Sequence, residues 1–380
     1  MAVHRAWCGN TTPLLIPTIP PPWHVAASTT VALCCQATWL SPQLLTVALG
    51  GHLSQFIAKG KLVTVSCFGL FFAGALIAVC QSYAGLVVGC AVLGLAAGLI
   101  ESTANALLSD LFEGPKRTAA INYAHVAFAA GAIGIPLAMA VIIKNDVTWR
   151  AGFWLAASAG FIGAAWMIIS GTWRLGRPMR FQMSSRGALD SFSLLLCAAM
   201  FCYVAAELGL CYWLPIHFRS VLHSGEAFAA ASNSVFWTGA ILGRLTAGYL
   251  GSRFKDVQML RWSATCGLLT MLVFATLRSP TIAIVLVALM GLSFACIWPT
   301  IVAYAGHVYG PALGVRLPWI IAGGVVGSGV GPWLSGELAS NPHIGQATAF
   351  LINPAFFTII LLILVVSPSA ERSAAAIAQA

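Results

Sequence analysis

Eleven apolar stretches, each long enough to cross a lipid bilayer as an α-helix, follow one another along this chain. They occupy residues 26–50, 62–81, 85–112, 119–143, 151–172, 190–218, 227–250, 260–277, 280–305, 313–336 and 346–367. Only 8% of the residues are charged, whereas a soluble domain carries about a quarter charged side chains. Because lipid offers no hydrogen bonds, a spanning segment must satisfy its own backbone, as a helix does. The sequence therefore predicts an all-α polytopic membrane protein.

The basic residues divide unevenly between the two ends of these stretches. Fourteen lie in or beside the loops that follow odd-numbered stretches: Lys59, Lys61, Lys116, Arg117, Arg174, Arg177, Arg180, Arg186, Arg244, Arg253, Lys255, Arg261, Arg316 and Arg372. Four lie at the opposite ends: Lys144, Arg150, Arg219 and Arg278. Because cytoplasmic loops are enriched in Lys and Arg, the C-terminus is predicted to be cytoplasmic and the N-terminus to lie outside. Topology thus explains the net charge of +9, and no nucleic-acid partner is expected.

Landmarks of the first half recur at a nearly constant offset in the second. An offset of 197 residues aligns Gly51-His52-Leu53 with Gly248-Tyr249-Leu250 and Gly94-Leu95 with Gly291-Leu292, and one residue less aligns Pro136 with Pro332. Some transporters have halves that are related in this parallel way, by an axis along the membrane normal. We predict an irregular segment 1–25, a first half 26–172, a cytoplasmic linker 173–189, a second half 190–367 and a cytoplasmic tail 368–380.

The second half contains six stretches and the first contains five. In the alignment of the halves, the unmatched stretch is the first helix of the first half. We expect either that the gene model begins downstream of a lost segment or that the protein is a truncated relative. An apolar segment encoded in frame upstream of Met1 would distinguish the two.

Two strings occupy matching positions in the halves: GGHLSQFIAKGKL at 50–62 and GRLTAGYLGSRF at 243–254. Both resemble the short-loop signature of the major facilitator superfamily. The positions that carry this resemblance are Gly51, Gly243, Arg244, Gly248 and Arg253. Where the superfamily has Asp, this chain has Ser54 and Gly251. The resemblance implies a major facilitator fold of two pseudo-symmetric six-helix halves, with the first helix missing, and a role in conformational change for the loop motif.

Three further strings resemble the fucose permease-like sugar:proton symporters within that superfamily. They are Arg117-x4-Asn122-x2-His125, Tyr203-Val204-x2-Glu207-x5-Trp213 and GLSFACIWPT at 291–300. This resemblance implies secondary active transport, by alternating access, of a small polar solute such as a sugar together with protons. It implies a location in the plasma membrane or a bacterial inner membrane, and an acidic residue near position 101.

Two carboxylates lie near the centres of apolar stretches, where a charge costs about 2.5–3.5 kcal/mol on insertion scales. Glu101 shares a helical face with Gly94, Gly98 and Asn105, and we expect the glycines to leave space so that this face lines a cavity. Glu207 is similarly central in its own stretch. Because burial favours the protonated form of a carboxyl group, each can carry a proton. Glu101 and Glu207 are therefore the predicted proton-coupling residues. The alternative for Glu101 is a structural carboxylate paired with a neighbouring helix, and the alternative for Glu207 is an inter-domain hydrogen-bond anchor.

Other side chains in the apolar stretches are suited to binding a polar solute. Amides and imidazoles form hydrogen bonds, and indole rings stack on sugars. The alternative for each is packing or, for the aromatic residues, an interfacial position. Arg244 shares a face with Asn233 and Trp237, but near the cytoplasmic end we expect it to anchor a loop. The predicted substrate-binding residues are Asn105, Asn122, His125, Asn233, Trp237 and Trp298.

Other classes of function lack their motifs. There is no G-x-x-x-x-G-K-[ST] nucleotide loop, and no H-E-x-x-H or Cys/His spacing typical of a metal site. We therefore predict no enzyme activity, cofactor or metal. The alternatives left open are proton-driven efflux of amphipathic or drug-like compounds and a truncated relative that does not transport. The expected partners are a small-molecule solute, protons and the lipid bilayer, with the protein as a monomer.

Overall fold

A computed structural model describes residues 29–145, 147–176, 190–251, 253–340, 343, 345 and 349–379. Its helices are α1 (Thr29–Leu53), α2 (Lys59–Val79), α3 (Tyr83–Leu111), α4 (Pro115–Lys144), α5 (Arg150–Ile169), α6 (Ser191–Ser220), α7 (Glu226–Leu250), α8 (Asp256–Thr276), α9 (Pro280–Phe294), α10 (Ile297–Tyr309), α11 (Leu313–Ser340) and α12 (Ile352–Gln379). Because α9 and α10 together fill one predicted stretch, each of the eleven predicted stretches contains a helix within its described residues, and the all-α prediction is confirmed. The predicted segment 1–25 and most of the linker lie outside the described residues, while α12 continues through most of the predicted tail.

Eight of the described helical segments are long and apolar enough to cross a membrane. They are Lys59–Val79, Tyr83–Leu111, Pro115–Ile135, Arg150–Ile169, Ser191–Ser220, Asp256–Thr276, Pro280–Tyr309 and Leu313–Ala339. The surface agrees with this, because large apolar side chains such as Trp166, Ile169 and Val365 are more than two-thirds exposed. Water would penalise such a surface, and lipid tails solvate it.

Local sequence signals set several helix boundaries. α6 begins after Asp190, whose carboxylate accepts a hydrogen bond from the Ser193 amide, while the Ser193 hydroxyl accepts one from the Asp190 amide, both at 3.0 Å. This reciprocal arrangement is a capping box. α4 begins at Pro115, directly after Gly114, whose φ of +52° is costly for other residues.

A proline divides the stretch predicted at 280–305. Pro299 has no amide hydrogen, so the Ala295 carbonyl, four residues earlier, receives no helical hydrogen bond. α9 accordingly ends at Phe294 and α10 begins at Ile297. The break leaves a backbone acceptor in a membrane-spanning segment, where a donor from elsewhere is needed.

The described helices form two compact units. Unit 1 comprises residues up to 107 and 131–182, and unit 2 comprises 108–130 and 183–380. The first four turns of α4 therefore belong with the helices of the second half, whereas its remainder belongs to unit 1. This grouping differs from the predicted halves at 108–130.

Unit 1 is held together by close contacts at small residues and by backbone hydrogen bonds. A Cβ built on Gly160 of α5 would lie 2.8 Å from the Cys67 carbonyl oxygen of α2. At the start of α2, the Lys59 and Gly60 amides donate to backbone carbonyls of residues 175–176, each at 3.0 Å. The chain after α5 thus satisfies two amides that α2 leaves without helical partners.

In unit 2, α11 lies directly against α6. Gly323, Gly327 and Gly331 recur every four residues on one face of α11, and a Cβ on any of them would collide with a carbonyl group of α6. Across another interface, Gly243 of α7 meets the backbone of α9 in the same way. Small residues at this spacing let helix backbones approach in lipid, where the hydrophobic effect does not drive helices together.

Candidate functional site

Glu101 lies on α3 in unit 1, where it is partly exposed. The buried side chain of Gln43, on α1, donates from Nε2 to its carboxylate at 3.0 Å. Asn105, one turn later on α3, is also buried and donates to the Glu101 backbone carbonyl at 2.7 Å. The two residues predicted from sequence therefore lie together, and Gln43 is a third member that sequence analysis missed.

The expectation that glycines open a space beside Glu101 is wrong. A Cβ on Gly94 would collide with the carbonyl group of Trp39, and one on Gly98 would collide with that of Gln43. The backbone of α1 fills this space, so the two glycines serve close packing. The same packing brings Gln43 within hydrogen-bond distance of Glu101.

In unit 2, several predicted residues meet in a cluster of aromatic rings. The ring centroid of His125 lies 6.2 Å from that of Trp298 and 6.3 Å from that of Phe128. Phe128 in turn meets Trp237 edge-on at 5.6 Å. We call these four rings, from α4, α7 and α10, the ring cluster. Aromatic faces and edges of this kind suit a flat or amphipathic ligand.

Three buried polar atoms on the helices of the ring cluster have no hydrogen-bond partner among the described residues. They are Oδ1 of Asn122, Oδ1 of Asn233 and Nε1 of Trp298. Asn122 lies one turn before His125, and Asn233 lies one turn before Trp237. Because nearly all buried polar groups in proteins are hydrogen-bonded, these atoms are suited to a bound solute or to water. They provide two acceptors and one donor.

Arg244 joins the ring cluster to the break between α9 and α10. Its guanidinium is buried and donates from Nε to the Ala295 carbonyl at 3.3 Å and from Nη1 to the His125 carbonyl at 3.1 Å. It also lies 5.2 Å from the ring centroid of Phe128 and 5.9 Å from that of Trp237. The expectation that Arg244 anchors a loop is therefore wrong, because it bonds the backbone of α4 and that of the break between α9 and α10, and contacts two rings.

Glu207 lies on α6 with its carboxylate buried in unit 2. The Tyr203 hydroxyl, one turn earlier, donates to Glu207 Oε1 at 2.5 Å. Glu207 therefore belongs to a buried hydrogen-bonded pair within one helix, which is also the setting of a structural carboxylate.

The loop-motif residues lie on helix ends and make packing contacts. Gly248 faces the ring of Tyr123 on α4, as Gly243 faces α9. The Arg253 guanidinium lies 4.4 Å from the centroid of a tyrosine ring four residues earlier. In unit 1, the Gly51 carbonyl accepts a hydrogen bond from a serine hydroxyl at 2.7 Å. The motif thus positions the end of α7 against α4 and α9.

Sequence analysis also missed a polar cluster beside the loop motif. Asp256, the first residue of α8, accepts a hydrogen bond from the Thr118 hydroxyl of α4 at 2.9 Å and contacts His307 of α10 at 2.5 Å. The three residues are far apart in the sequence and share no motif. One sequence feature could have indicated this cluster. Asp256 is one of only ten acidic residues, and it follows closely after the second-half signature, in which Gly251 replaces the usual Asp.

A second group of polar atoms in unit 2 lies apart from the predicted residues. Nε2 of His217, Oγ of Ser335 and Oδ1 of Asn353 are buried without partners among the described residues. They line a small cavity between α6, α11 and α12, next to Trp213 and Phe350. This cavity has room for about one water molecule, which could satisfy these atoms.

Comparison with known proteins adds sequence relatives. A family model described as Major Facilitator Superfamily matches residues 9–313 and 195–379. A protein TsgA homolog of Yersinia enterocolitica is 21% identical over 285 residues, which cover 72% of this chain and 70% of the relative. One from an Enterobacter species is 24% identical over 241 residues, which cover 61% of this chain and 58% of the relative. The chain thus spans roughly two thirds of the length of these curated relatives.

Solved structures share the fold. The transporter FucP in the outward conformation matches with a TM-score of 0.76 at 16% identity, covering 96% of this chain and 97% of FucP. The proton:xylose symporter XylE matches with a TM-score of 0.78 at 14% identity, covering 95% of this chain and 91% of XylE. The human organic anion transporter MFSD10 matches with a TM-score of 0.73 at 14% identity, covering 95% of this chain and 90% of MFSD10. At these identities the similarity concerns the fold alone.

Proposed function

Because the chain belongs to the major facilitator superfamily and is a multi-pass membrane protein, we propose that it carries a small polar solute across the membrane together with protons. The observation on which this rests is a set of buried polar atoms on the helices of the ring cluster that have no partner among the described residues: Oδ1 of Asn122, Oδ1 of Asn233 and Nε1 of Trp298. Fold similarity supports a transporter but does not select the solute, since organic anion and sugar transporters share it.

The chemistry of the ring cluster favours a neutral solute that bears several hydroxyl groups. A hydroxyl group both donates and accepts, so it can complement the two amide oxygens and the indole N–H. The faces of Trp237 and Trp298 suit the C–H surface of a sugar ring. Arg244 lies in the cluster, but its guanidinium already bonds two carbonyl groups. An anionic solute is therefore the less favoured class.

Proton coupling is proposed for Glu101. Gln43 donates to its carboxylate, and the same amide, turned over, accepts from a protonated carboxyl group. Gln43 can thus support both protonation states of Glu101. Proton exchange requires the carboxyl group to reach water, and the partial exposure of Glu101 is consistent with that. We assign Glu207 a structural role beside Tyr203. The FucP and XylE relatives named as proton symporters support coupling by similarity of fold.

The test is uptake into proteoliposomes that contain the full chain. We expect a labelled sugar or polyol to accumulate under an inward proton gradient. Glu101→Gln, which keeps the shape but cannot titrate, should abolish gradient-driven accumulation while retaining solute exchange. The exposed Glu337→Gln is the matched control and should behave as the wild type. Unchanged accumulation in Glu101→Gln would remove Glu101 from the mechanism, and gradient-driven extrusion of a dye without sugar uptake would overturn symport in favour of efflux.

A further inference from the structure

A buried polar cluster lies at the start of α4, within unit 2. His307 of α10 makes two contacts through its ring: Nδ1 lies 2.5 Å from Asp256 Oδ2, and Nε2 lies 2.8 Å from the Gly114 carbonyl oxygen. The other carboxylate oxygen of Asp256 accepts a hydrogen bond from Thr118 at 2.9 Å. Both Asp256 and Thr118 are buried. Three separate segments of the chain therefore meet at one carboxylate and one imidazole.

The two contacts of His307 together need one more proton than a neutral imidazole and an ionised carboxylate supply. A carbonyl oxygen only accepts, so Nε2 of His307 must carry a hydrogen to bond Gly114. The short contact between Nδ1 and the carboxylate then needs a second hydrogen, either on Nδ1 or on Oδ2. A neutral imidazole beside an ionised carboxylate supplies only one. Without the extra proton, either two lone pairs face each other at 2.5 Å or the bond to Gly114 is lost.

We infer that Asp256 and His307 form a proton-binding site, and that the bound proton holds the start of α4 against α8 and α10. The inference is independent of coupling through Glu101, because every group in it belongs to unit 2. α4 passes from unit 2 into unit 1 at residues 130–131. Gain or loss of the proton therefore acts on the first turns of α4, a helix whose residues are divided between the two units.

The charges around the site are mixed. From α4, the Arg117 side chain lies against Gly306, the residue before His307, and brings a positive charge close to the site. Arg117 is itself acted on by Glu113, Asp110 and Asp256, and its Nε donates to the Ser109 carbonyl at 3.0 Å.

Unit 2 also contains a second ion pair. The carboxylate of Asp190 and the guanidinium of Arg316 meet at 2.9 Å beside Tyr309, two residues after His307. The opposite charges of Asp190 and Arg316 offset each other, so Asp256 is the acid that acts directly on His307.

Hydrogen exchange measured by mass spectrometry on the full chain in detergent tests the site. From about pH 5 to pH 8, where imidazoles titrate, we expect amides of residues 112–120 to change from protected to exchanging roughly tenfold faster, after correction for intrinsic rates. Protection in α6 should not change. His307→Gln has no group that titrates in this range, so protection of the same amides should no longer vary with pH. The exposed His52→Gln should retain the wild-type pH dependence.

Thr118→Val separates the proton site from simple packing. It removes one hydrogen bond to Asp256 but leaves the imidazole and the carboxylate in place. We expect weaker protection of residues 112–120 with the pH dependence retained. Wild-type protection that does not vary with pH would overturn the inference, as would an identical pH dependence in His307→Gln. Because no transport is measured, failure here is distinguishable from failure of proton-coupled uptake.

Discussion

Arg244 donates a hydrogen bond to the carbonyl oxygen of Ala295, the acceptor that Pro299 leaves without a helical donor. The same guanidinium reaches the His125 carbonyl of α4, so one side chain joins α7, α4 and the break between α9 and α10. An arginine in the motif therefore completes the hydrogen bonding of a broken helix. The break supplies a free backbone acceptor, and Arg244 supplies the buried donor that this acceptor needs.

Replacing Arg244 should destabilise the protein. Arg244→Ala leaves the Ala295 and His125 carbonyls unpaired in a buried setting, at a cost of about 1–3 kcal/mol for each group. Arg244→Lys retains the charge but not the fork of donors, and should recover only part of the loss. Thermal unfolding in detergent measures both. Arg278→Ala removes an exposed arginine and should leave the melting temperature unchanged; equal losses in the two alanine variants would contradict the assigned role.

Removing the indole N–H of Trp298 should weaken solute binding without unfolding the cluster. Trp298→Phe keeps an aromatic ring beside His125 but deletes the buried donor that has no partner among the described residues. We expect the KM for uptake to rise about tenfold, the effect of one hydrogen bond of about 1.4 kcal/mol, with the melting temperature nearly constant. Ser335→Ala makes a matched change in the second cavity. If Ser335→Ala raises KM and Trp298→Phe does not, the solute binds in that cavity instead.

Two glycines with opposite surroundings give a matched pair for helix packing. A Cβ on Gly331 would collide with the Ala205 carbonyl of α6, whereas a Cβ on Gly134 of α4 meets nothing within 4 Å. Gly331→Ala should therefore lower the melting temperature by several degrees. Gly134→Ala should raise stability by up to about 1 kcal/mol, because alanine favours the helix. A loss of stability in both variants would show that the glycines act through backbone flexibility.

The membrane-spanning stretches were predictable because hydrophobicity and length act locally. The stretch predicted at 190–218 appears as Ser191–Ser220, and that at 62–81 appears as Lys59–Val79. The break at residues 295–296 was missed, since Pro299 lies inside an unbroken apolar run and its effect on Ala295 concerns one hydrogen bond. A hydropathy pattern is not affected by the loss of one backbone N–H donor.

The site was predictable in part, for a related reason. Glu101, Asn122 and Trp298 were singled out by residue type within apolar stretches, which requires no knowledge of neighbours. Their partners depend on tertiary packing: Gln43 reaches Glu101 from another helix, 58 residues away. Gly94 and Gly98 were misread for the same reason, because a missing side chain can mean an open space or a close backbone.

The Asp190 carboxylate, directly before α6, makes the stability of the protein depend on pH. It accepts hydrogen bonds from the Tyr309 hydroxyl at 2.5 Å, the Ser193 amide at 3.0 Å and Nε of Arg316 at 2.9 Å. Burial alone would raise the pKa of Asp190, but these bonds and the positive charge of Arg316 hold it below its usual value. Because the folded pKa is depressed, the stabilisation is present above the unfolded pKa and is lost as pH falls through the folded one.

Asp190→Asn retains the shape and helix capping but removes the charge. At pH 7 we expect a loss of about 2 kcal/mol, since hydrogen bonds to an ionised group are the stronger kind. The gap in melting temperature between wild type and variant should begin to narrow as the pH falls below about 4, the usual pKa of an Asp side chain, and should close only below the depressed folded pKa, where the wild-type carboxylate is protonated as well. Thermal unfolding at a series of pH values measures this, with the exposed Glu337→Gln as control. A gap that stays constant down to the lowest pH would mean that shape, and not charge, is what Asp190 contributes.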